Sequence, residues 1–253
     1  HRAISLTVDG QKLFDTASRS LGELASSVEA ISRRTRRGRI TVAASVSFSY
    51  YWFMPRLERF MARYPHVELR IVASDNSADL QSPDVDVAIL HGMAGWQDFS
   101  ADLLFSETIY PVCSADFASR HPGIREPADL LGQVLLHQDG GGNIWRGMDW
   151  KAWLNAQDVP VRHLDHGIRM NSYPMVLAAA ERGRGIALGW GYITDDLVAA
   201  GRLVKPLPDV LETTRGYYVC VRRSSADKVE AEALRQWFIE EAAGNRIVSQ
   251  GVV

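Results

Sequence analysis

The sequence predicts a mostly parallel, three-layer α/β domain that follows one long helix. Runs rich in β-branched residues alternate between residues 39 and 243 with apolar residues at helical spacing, the pattern of a parallel sheet covered by helices. Before this region, residues 7–36 carry a single narrow apolar stripe. The 253 residues, of which 46% are hydrophobic and 23% charged, are enough for one large domain or two small lobes.

The long helix is predicted to begin after Thr7, a favourable capping residue, and to end near Arg36. Its apolar residues recur every 3.5 positions, the period of a coiled coil, which favours a dimer over a helix lying on its own domain. At about 1.5 Å per residue, the helix is roughly 45 Å long. The predicted dimerisation residues are Leu13, Ala17, Leu21, Leu24, Val28 and Ile31.

The first strand–turn–helix unit organises the rest of the chain. Residues 39–44 are predicted to form a strand, Ser45–Ser47 a turn, and residues 48–63 a helix in which Pro55 marks a kink. Backbone N–H groups in the first turn of a helix lack internal partners, so this turn is suited to an anion or carboxylate. The alternative, which the pattern alone favours, is that Ser45 or Ser47 only caps the helix.

The remaining elements alternate in the same way, and a second turn of small polar residues, Asn171–Ser172, again joins a strand to a helix. Ligands of open α/β sheets lie beyond the carboxyl ends of the strands, so the two turns are candidates for one site. The other predicted strands are 67–73, 85–90, 103–106, 108–113, 133–137, 167–170, 185–189, 202–205 and 217–222. The other predicted helices are 115–120, 127–131, 148–156, 173–182, 192–199 and 225–243.

Other classes of function find little support in the sequence. Signatures of serine hydrolases, zinc proteases and dinucleotide-binding enzymes are absent, so neither an enzyme nor a cofactor is predicted. The pair His163 and His166 is more typical of a surface loop than of a metal site, and no metal is predicted. Cys113 and Cys220 suit a reducing cytoplasm, and no apolar run approaches the ~20 residues of a membrane helix.

Charge is distributed unevenly along the chain, whose formal net charge is −2. Residues 1–40 hold eight Lys and Arg against four Asp and Glu, and the remainder is acidic. A basic end on an acidic body predicts that this end faces a polyanion, although the cluster Arg33–Arg39 is also typical of a solvated helix terminus.

A series of short motifs follows in order along nearly the whole chain. They are L-T-x-x-G from Leu6, S-V-S-F-x-x-x-W-F-M-P-R-L-E-R-F from Ser45, D-V-D-V-A-I from Asp84, Y-P-V-C-S from Tyr110, W-x-x-W-L from Trp150, G-x-G-I-A-L from Gly183, G-R-L-V from Gly201 and Y-Y-V from Tyr217. This ordered set resembles the linker helix and effector-binding domain of LysR-type transcriptional regulators. It most resembles the branch that contains regulators of glycine-cleavage genes and of β-lactamase genes.

The resemblance implies an α/β fold with two Rossmann-like lobes of periplasmic-binding-protein type, preceded by the long linker helix. Two crossover strands would join the lobes, near Ile109–Cys113 and Tyr217–Val221. Lobe I would hold residues 39–111 and 218–253, and lobe II residues 112–217.

The resemblance also gives residues 7–38 a role as linker and dimerisation helix. Residues 1–6 would be the remnant of the wing of a winged helix-turn-helix, most of which is missing from this sequence. The implied partners are DNA through that missing N-terminal domain, a small-molecule effector, and copies of the same chain in a homodimer or homotetramer. The protein would act in the bacterial cytoplasm, away from membranes.

An effector site between the lobes is predicted from the two turns together with the resemblance. His91 and His137 end their strands and would point toward it, or would be packed, hydrogen-bonded side chains. Leu90 stands where relatives often carry arginine, which predicts a less charged or more apolar effector. The predicted effector-binding residues are Ser45, Val46, Ser47, Phe48, Leu90, His91, His137, Asn171, Ser172 and Trp190.

Two other functions fit the same architecture. A transport-type solute-binding protein shares the two-lobe plan but leaves the coiled-coil helix unexplained. An enzyme needs an acid and a base that converge on the cleft, and the sequence offers no such pair. The sequence therefore favours a ligand-responsive transcription regulator whose effector changes the arrangement of the lobes and of the oligomer.

Overall fold

The computed structural model describes residues 7–34, 38–139, 148–164 and 166–249, in which strands and helices alternate after one long helix. The strands are β1 (Arg39–Ala44), β2 (Glu68–Ala73), β3 (Val87–Gly92), β4 (Phe99–Val112), β5 (Leu135–Gln138), β6 (Ile168–Met170), β7 (Ile186–Trp190) and β8 (Leu211–Arg222). The helices are α1 (Val8–Arg34), α2 (Val46–Phe48), α3 (Leu57–Arg63), α4 (Ser77–Leu80), α5 (Ala115–Arg120), α6 (Trp150–Ala156), α7 (Tyr173–Glu181), α8 (Gly191–Ala199) and α9 (Val229–Ser249). None of the described helices combines the length and hydropathy needed to cross a bilayer.

Within the described residues, eight strands form one sheet in the order β2-β1-β3-β8-β4-β7-β5-β6. Each end of the sheet is a parallel trio, β2-β1-β3 on one side and β7-β5-β6 on the other. The central strands β8 and β4 run antiparallel to each other and to their outer neighbours. We call the β2-β1-β3 half lobe I and the β7-β5-β6 half lobe II. The predicted two-lobe α/β class is confirmed, with β4 and β8 as the strands shared by both halves.

The shared strands are longer than the sequence predicts. Where two strands, 103–106 and 108–113, are predicted, β4 runs unbroken with register shifts near Leu103–Phe105 and Ser106–Thr108. Such bulges bend a strand without ending its pairing, so the polar Ser106–Thr108 does not interrupt it. The predicted strand 202–205 is wrong, since only one bridge, between Val204 and Cys113, forms there.

The predicted helix 48–63 is helical throughout and irregular around Pro55, as the sequence predicts. It is divided into α2, a π-helical turn at Ser49–Phe53, a 3₁₀ turn at Met54–Arg56 and α3. Pro55 lacks a backbone N–H and cannot continue the α-helical ladder. The irregular segment turns Tyr51, Trp52 and Phe53 inward. Trp52 packs against Phe238 of α9 with 5.8 Å between ring centroids.

The long helix α1 begins where the sequence predicts. The Gly10 N–H donates to Thr7 Oγ1 at 3.1 Å, so Thr7 caps the helix. On its apolar stripe, Leu13 and Leu21 are 72% and 65% exposed. The predicted stripe residues Leu24, Val28 and Ile31 have side chains outside the described set, as do residues 1–6, the predicted wing remnant. The described part of the stripe therefore presents apolar surface to solvent.

Candidate functional site

The Ser45 turn supplies its own partners for the N-terminus of α2. Ser45 Oγ accepts the Phe48 N–H at 3.1 Å, and Asp75 Oδ1 accepts the Val46 N–H at 3.1 Å. The expectation that these N–H groups have no partner inside the chain is therefore wrong, and the capping interpretation holds for Ser45. Burial raises the pKa of Asp75, against the lowering effect of the Val46 N–H. An acidic side chain thus lies where an anionic ligand was expected.

Three of the predicted effector-binding residues face the interior. Phe48 is completely buried and stacks on Trp52 at 5.0 Å, so it belongs to the core of lobe I. Ser47 is also completely buried, and its hydroxyl has no hydrogen-bond partner among the described residues. Leu90 packs with Ala43 and other apolar residues on one face of the sheet. Successive strand residues point to opposite faces, so Leu90 turns away from the side on which His91 lies.

The helices that follow the two turns, α2 and α7, contact each other across the lobes. Ser172 precedes α7 and makes no side-chain capping bond, and Asn171 is exposed. Across the lobes, the Tyr51 hydroxyl donates to the Pro174 carbonyl at 3.4 Å. Burial raises the pKa of Tyr51 to about 12, so this hydroxyl keeps its proton. The structure therefore brings together the helical segments that follow the two predicted turns.

A second link between the lobes, which sequence reasoning missed, is an ion pair between the buried Arg56 and the partly exposed Asp196. The Arg56 guanidinium donates to both carboxylate oxygens of Asp196 in α8, at 2.7 and 3.0 Å. It also donates to the Trp52 carbonyl at 3.1 Å and lies over the Trp52 ring. Two-pronged Arg–carboxylate pairs fix orientation as well as distance. Arg56 thus sets how the irregular segment after α2 meets lobe II.

The most strongly connected polar group between the lobes is Glu107 in β4, which no sequence motif indicated. His91 Nε2 lies 2.6 Å from Glu107 Oε1, and the Trp190 indole N–H donates to the same oxygen at 2.9 Å. The Thr213 hydroxyl donates to Glu107 Oε2. These partners come from β3, β7 and β8, so one carboxylate joins both crossover strands to the end of a strand in each lobe.

The surroundings of Glu107 are dry but keep it ionised. The side chains of His91 and Glu107 are only 2% and 1% exposed. Burial alone raises the pKa of Glu107, but hydrogen bonds from His91, Thr213 and Trp190 outweigh this and hold the pKa below its ordinary value. The structure thus unites the predicted residues His91 and Trp190 around an acid. The only signal for that acid in the sequence is a lone charge inside an otherwise β-forming run.

A cavity of about 290 Å³ adjoins this cluster at Trp190 and lies within lobe II. It opens at the carboxyl ends of β5 and β7, between α6 and α7. Besides Trp190, the predicted residue His137 lines it, whereas no lobe I residue does. Its walls combine aromatic side chains with a group of basic ones, Lys151, Arg162 and Arg169.

His137 is held in place by the backbone that leads into β6, the strand beside β5. Its Nε2 lies 2.9 Å from the His166 carbonyl, and burial lowers the pKa of the imidazole, so Nε2 donates as a neutral ring. Gly167 makes this approach possible, since it has φ +119° and an added Cβ would lie 2.1 Å from the Leu135 carbonyl oxygen. Of the two alternatives for His137, the packed, hydrogen-bonded one is observed, at the edge of the cavity.

Comparison with known proteins gives this architecture a family. Residues 33–243 match the family model described as the LysR substrate binding domain. The chain belongs to the LysR-type transcriptional regulators. Among LysR-type regulators, it is 30% identical over 246 residues to the glycine cleavage system transcriptional activator of Escherichia coli K12, covering 97% of this chain and 79% of that protein. It is 29% identical over 244 residues to the transcriptional activator AmpR of Pseudomonas aeruginosa, covering 96% of this chain and 79% of AmpR.

Solved structures of LysR-type regulators share the fold. The effector domain of AmpR from Pseudomonas aeruginosa superposes with a TM-score of 0.67 at 28% identity, over 82% of this chain and 96% of that domain. CrgA from Neisseria meningitidis, at 21% identity, has the same fold with a TM-score of 0.65 over 96% of this chain. The chain is therefore an effector-binding domain of a LysR-type transcriptional regulator, as the motifs predict.

Proposed function

We propose that a small-molecule effector binds between lobe I and lobe II, beside the turns at Ser45–Ser47 and Asn171–Ser172. With the shared strands divided between them, lobe I is assigned residues 39–111 and 218–253, and lobe II residues 112–217. The observation that carries this proposal is the contact across the lobes between the helical segments that follow the two turns, where the Tyr51 hydroxyl donates to the Pro174 carbonyl. A ligand that touches both turns makes different contacts when the lobes are open and when they are closed, so its affinity for the two arrangements differs. A ligand shifts the equilibrium between two arrangements only through such a difference in affinity.

Polar contacts between the lobes hold them in one relative orientation, which the effector would have to change. Glu107 is hydrogen-bonded across the lobes in dry surroundings, and the buried Arg56 pairs across the lobes with Asp196, which is partly exposed. Hydrogen-bonded charges in a low-dielectric interior have few alternative partners, so they favour discrete arrangements over a continuum. In this proposal the effector changes the relative orientation of the lobes, and through it the geometry of the oligomer.

The remaining parts of the proposal follow from the family. Relatives named as transcriptional activators suggest that the regulator acts on DNA in the cytoplasm, with the DNA contacts made by a domain that precedes α1. The effector domain then serves as a sensor and not as an enzyme. The exposed stripe of α1 supports association with a second copy, as a dimer or as the pair within a tetramer.

The effector site is tested by placing bulk at the two turns. We expect Val46→Trp and Asn171→Trp each to abolish effector binding, because both positions are at least partly exposed and border the contact between the lobes. Native mass spectrometry of the purified chain identifies a carried-over effector, and calorimetry then measures its affinity. Ser47 is less suitable for this test although it lies in the same turn, because it is completely buried and a tryptophan there disturbs the core.

The matched control is Met61→Trp on α3, which adds the same side chain to the exposed surface of lobe I. Circular dichroism confirms that all three variants fold. Unchanged affinity in both turn variants, with the control also unchanged, contradicts an effector site between the lobes.

Self-association is tested on α1. We expect Leu13→Asp combined with Leu21→Asp to lower the oligomeric state measured by light scattering, because charges buried in an apolar seam are costly. The control Gln11→Asp combined with Ser18→Asp adds the same charge outside the stripe. A wild-type oligomer in the stripe variant, with native circular dichroism, places the interface elsewhere.

A further inference from the structure

The lobe II cavity has chemistry that the proposed interlobe contact does not use. Its apolar walls are large, and include Trp150, Tyr173, Leu188 and Trp190. At about 290 Å³ it suits a small ligand with an apolar body. Its polar lining determines which class of ligand it favours.

Among the described residues that line the cavity, positive charge exceeds the negative charge available to neutralise it. Of the two acidic residues in this set, Asp139 already pairs with Arg169 at 3.0 Å. The other, Asp149, accepts the Ala152 N–H at 2.8 Å as the cap of α6. Lys151 and Arg162 line the same cavity, and neither forms an ion pair with the described residues. Two cations are therefore available to a ligand.

The cavity wall also contains an amide that has no partner. Both the oxygen and the nitrogen of the Gln138 carboxamide are buried, and neither has a hydrogen-bond partner within the described parts of the chain. Buried polar atoms are almost always hydrogen-bonded, and leaving them unpaired is costly. Gln138 ends β5 and lines the cavity. Its amide is thus an unpaired donor and acceptor in a residue that lines a basic cavity.

We propose that this cavity binds the carboxylate end of a small organic acid. The carboxylate pairs with Lys151 and Arg162, a neutral polar group of the ligand meets the Gln138 amide, and the apolar body lies against Trp190 and Tyr173. This inference rests on the proposed effector function and extends it, because it places the anionic end of the effector in lobe II. It also replaces the expectation of a weakly charged effector, which considered only Leu90 in lobe I.

The test uses the purified chain with three acids, acetate, succinate and benzoate, each compared with its amide, acetamide, succinamide and benzamide. Calorimetry is expected to show tighter binding of at least one acid than of its amide. Combining Lys151→Gln with Arg162→Gln removes both charge-assisted contacts, and about a tenfold or larger loss of affinity for that acid is expected. The matched control Arg70→Gln removes an exposed charge from β2 in lobe I and is expected to leave the affinity unchanged.

Gln138→Leu distinguishes a ligand-binding role of Gln138 from a purely structural role. It is expected to raise the melting temperature of the unliganded protein, since it removes two unpaired buried polar atoms, and to weaken binding of the acid. A lower melting temperature contradicts the proposed role of Gln138. The proposal is overturned if no acid binds more tightly than its amide, or if the double substitution weakens binding no more than Arg70→Gln does. Because these variants leave the Val46 turn intact, their failure is distinguishable from failure of the interlobe site.

Discussion

Replacing Glu107 with alanine is expected to lower the free energy of unfolding by about 3–5 kcal/mol, the range for breaking a buried charge pair by removing one partner. The substitution leaves the His91 imidazole and the Trp190 indole N–H without their acceptor in a site that is almost closed to water. Glu107→Gln keeps the size of the side chain and one acceptor oxygen, so we expect a smaller loss. Denaturant unfolding followed by circular dichroism measures both.

The control for Glu107 is Glu212→Ala on β8, where the side chain is exposed. Surface substitutions of this kind change stability little. If Glu107→Ala costs no more than Glu212→Ala, the buried network does not stabilise the junction of the lobes.

The stabilisation by Glu107 is expected to depend on pH with a defined sign. Its pKa in the folded protein is lowered, so its contribution is present above the unfolded-state value of about 4.3 and is lost as the pH falls through the folded value. The difference in unfolding free energy between wild type and Glu107→Gln should therefore narrow as the pH is lowered below about 4. A difference that stays constant or widens on acidification contradicts an ionised, hydrogen-bonded Glu107.

Asp86→Ala is expected to be comparably destabilising, by about 3–5 kcal/mol, but within lobe I alone. Asp86 Oδ2 accepts the Thr41 N–H of β1 at 2.9 Å. Its other oxygen accepts from the Ser225 hydroxyl at 2.6 Å and from Lys228 Nζ at 2.7 Å. The carboxylate thus ties β1 to the segment that leads into α9, and its loss leaves a buried backbone N–H unpaired.

Two matched variants separate the contributions at this site. Asp86→Asn keeps the acceptor for Thr41 but removes the charge that pairs with Lys228, and we expect a smaller loss than for alanine. Asp227→Ala removes an exposed charge one residue before Lys228 and should be nearly neutral. Thermal or denaturant unfolding gives the order of the three. Equal effects of Asp86→Ala and Asp227→Ala contradict the proposed tie.

The variants at Val46 and Asn171 test effector binding, whereas the variants at Glu107 test the stability of the contact between the lobes. Val46 and Asn171 lie at the surface where the lobes meet, whereas Glu107 and Arg56 are buried links between the lobes. A Glu107 variant that still folds is therefore expected to bind the effector with altered coupling to oligomer geometry. Such coupling is a difference in free energy between two arrangements, and the link contributes to one of them.

The sequence by itself determined the class of fold and the order of its elements. The periodicities that distinguish strands from helices extend over a few residues, and short windows such as Arg39–Ala44 and Ala115–Arg120 carry them completely. The cap at Thr7 and the interruption at Pro55 are equally local, because each depends on the hydrogen-bonding capacity of a single residue. The ordered motifs added the family, which the comparisons confirmed.

The tertiary structure decided which side chains meet. Glu107 contacts His91, Trp190 and Thr213, which are separated from it by 16, 83 and 106 residues. Contacts over such distances are fixed by strand order and register, and a bulged strand changes which face its residues occupy. The alternation of side chains along β3 buries Leu90 on one face of the sheet and places His91 on the other, where it meets Glu107 and Trp190. Local patterns determine the elements of this protein, but Glu107 meets its partners only because β4 and β8 connect the two lobes.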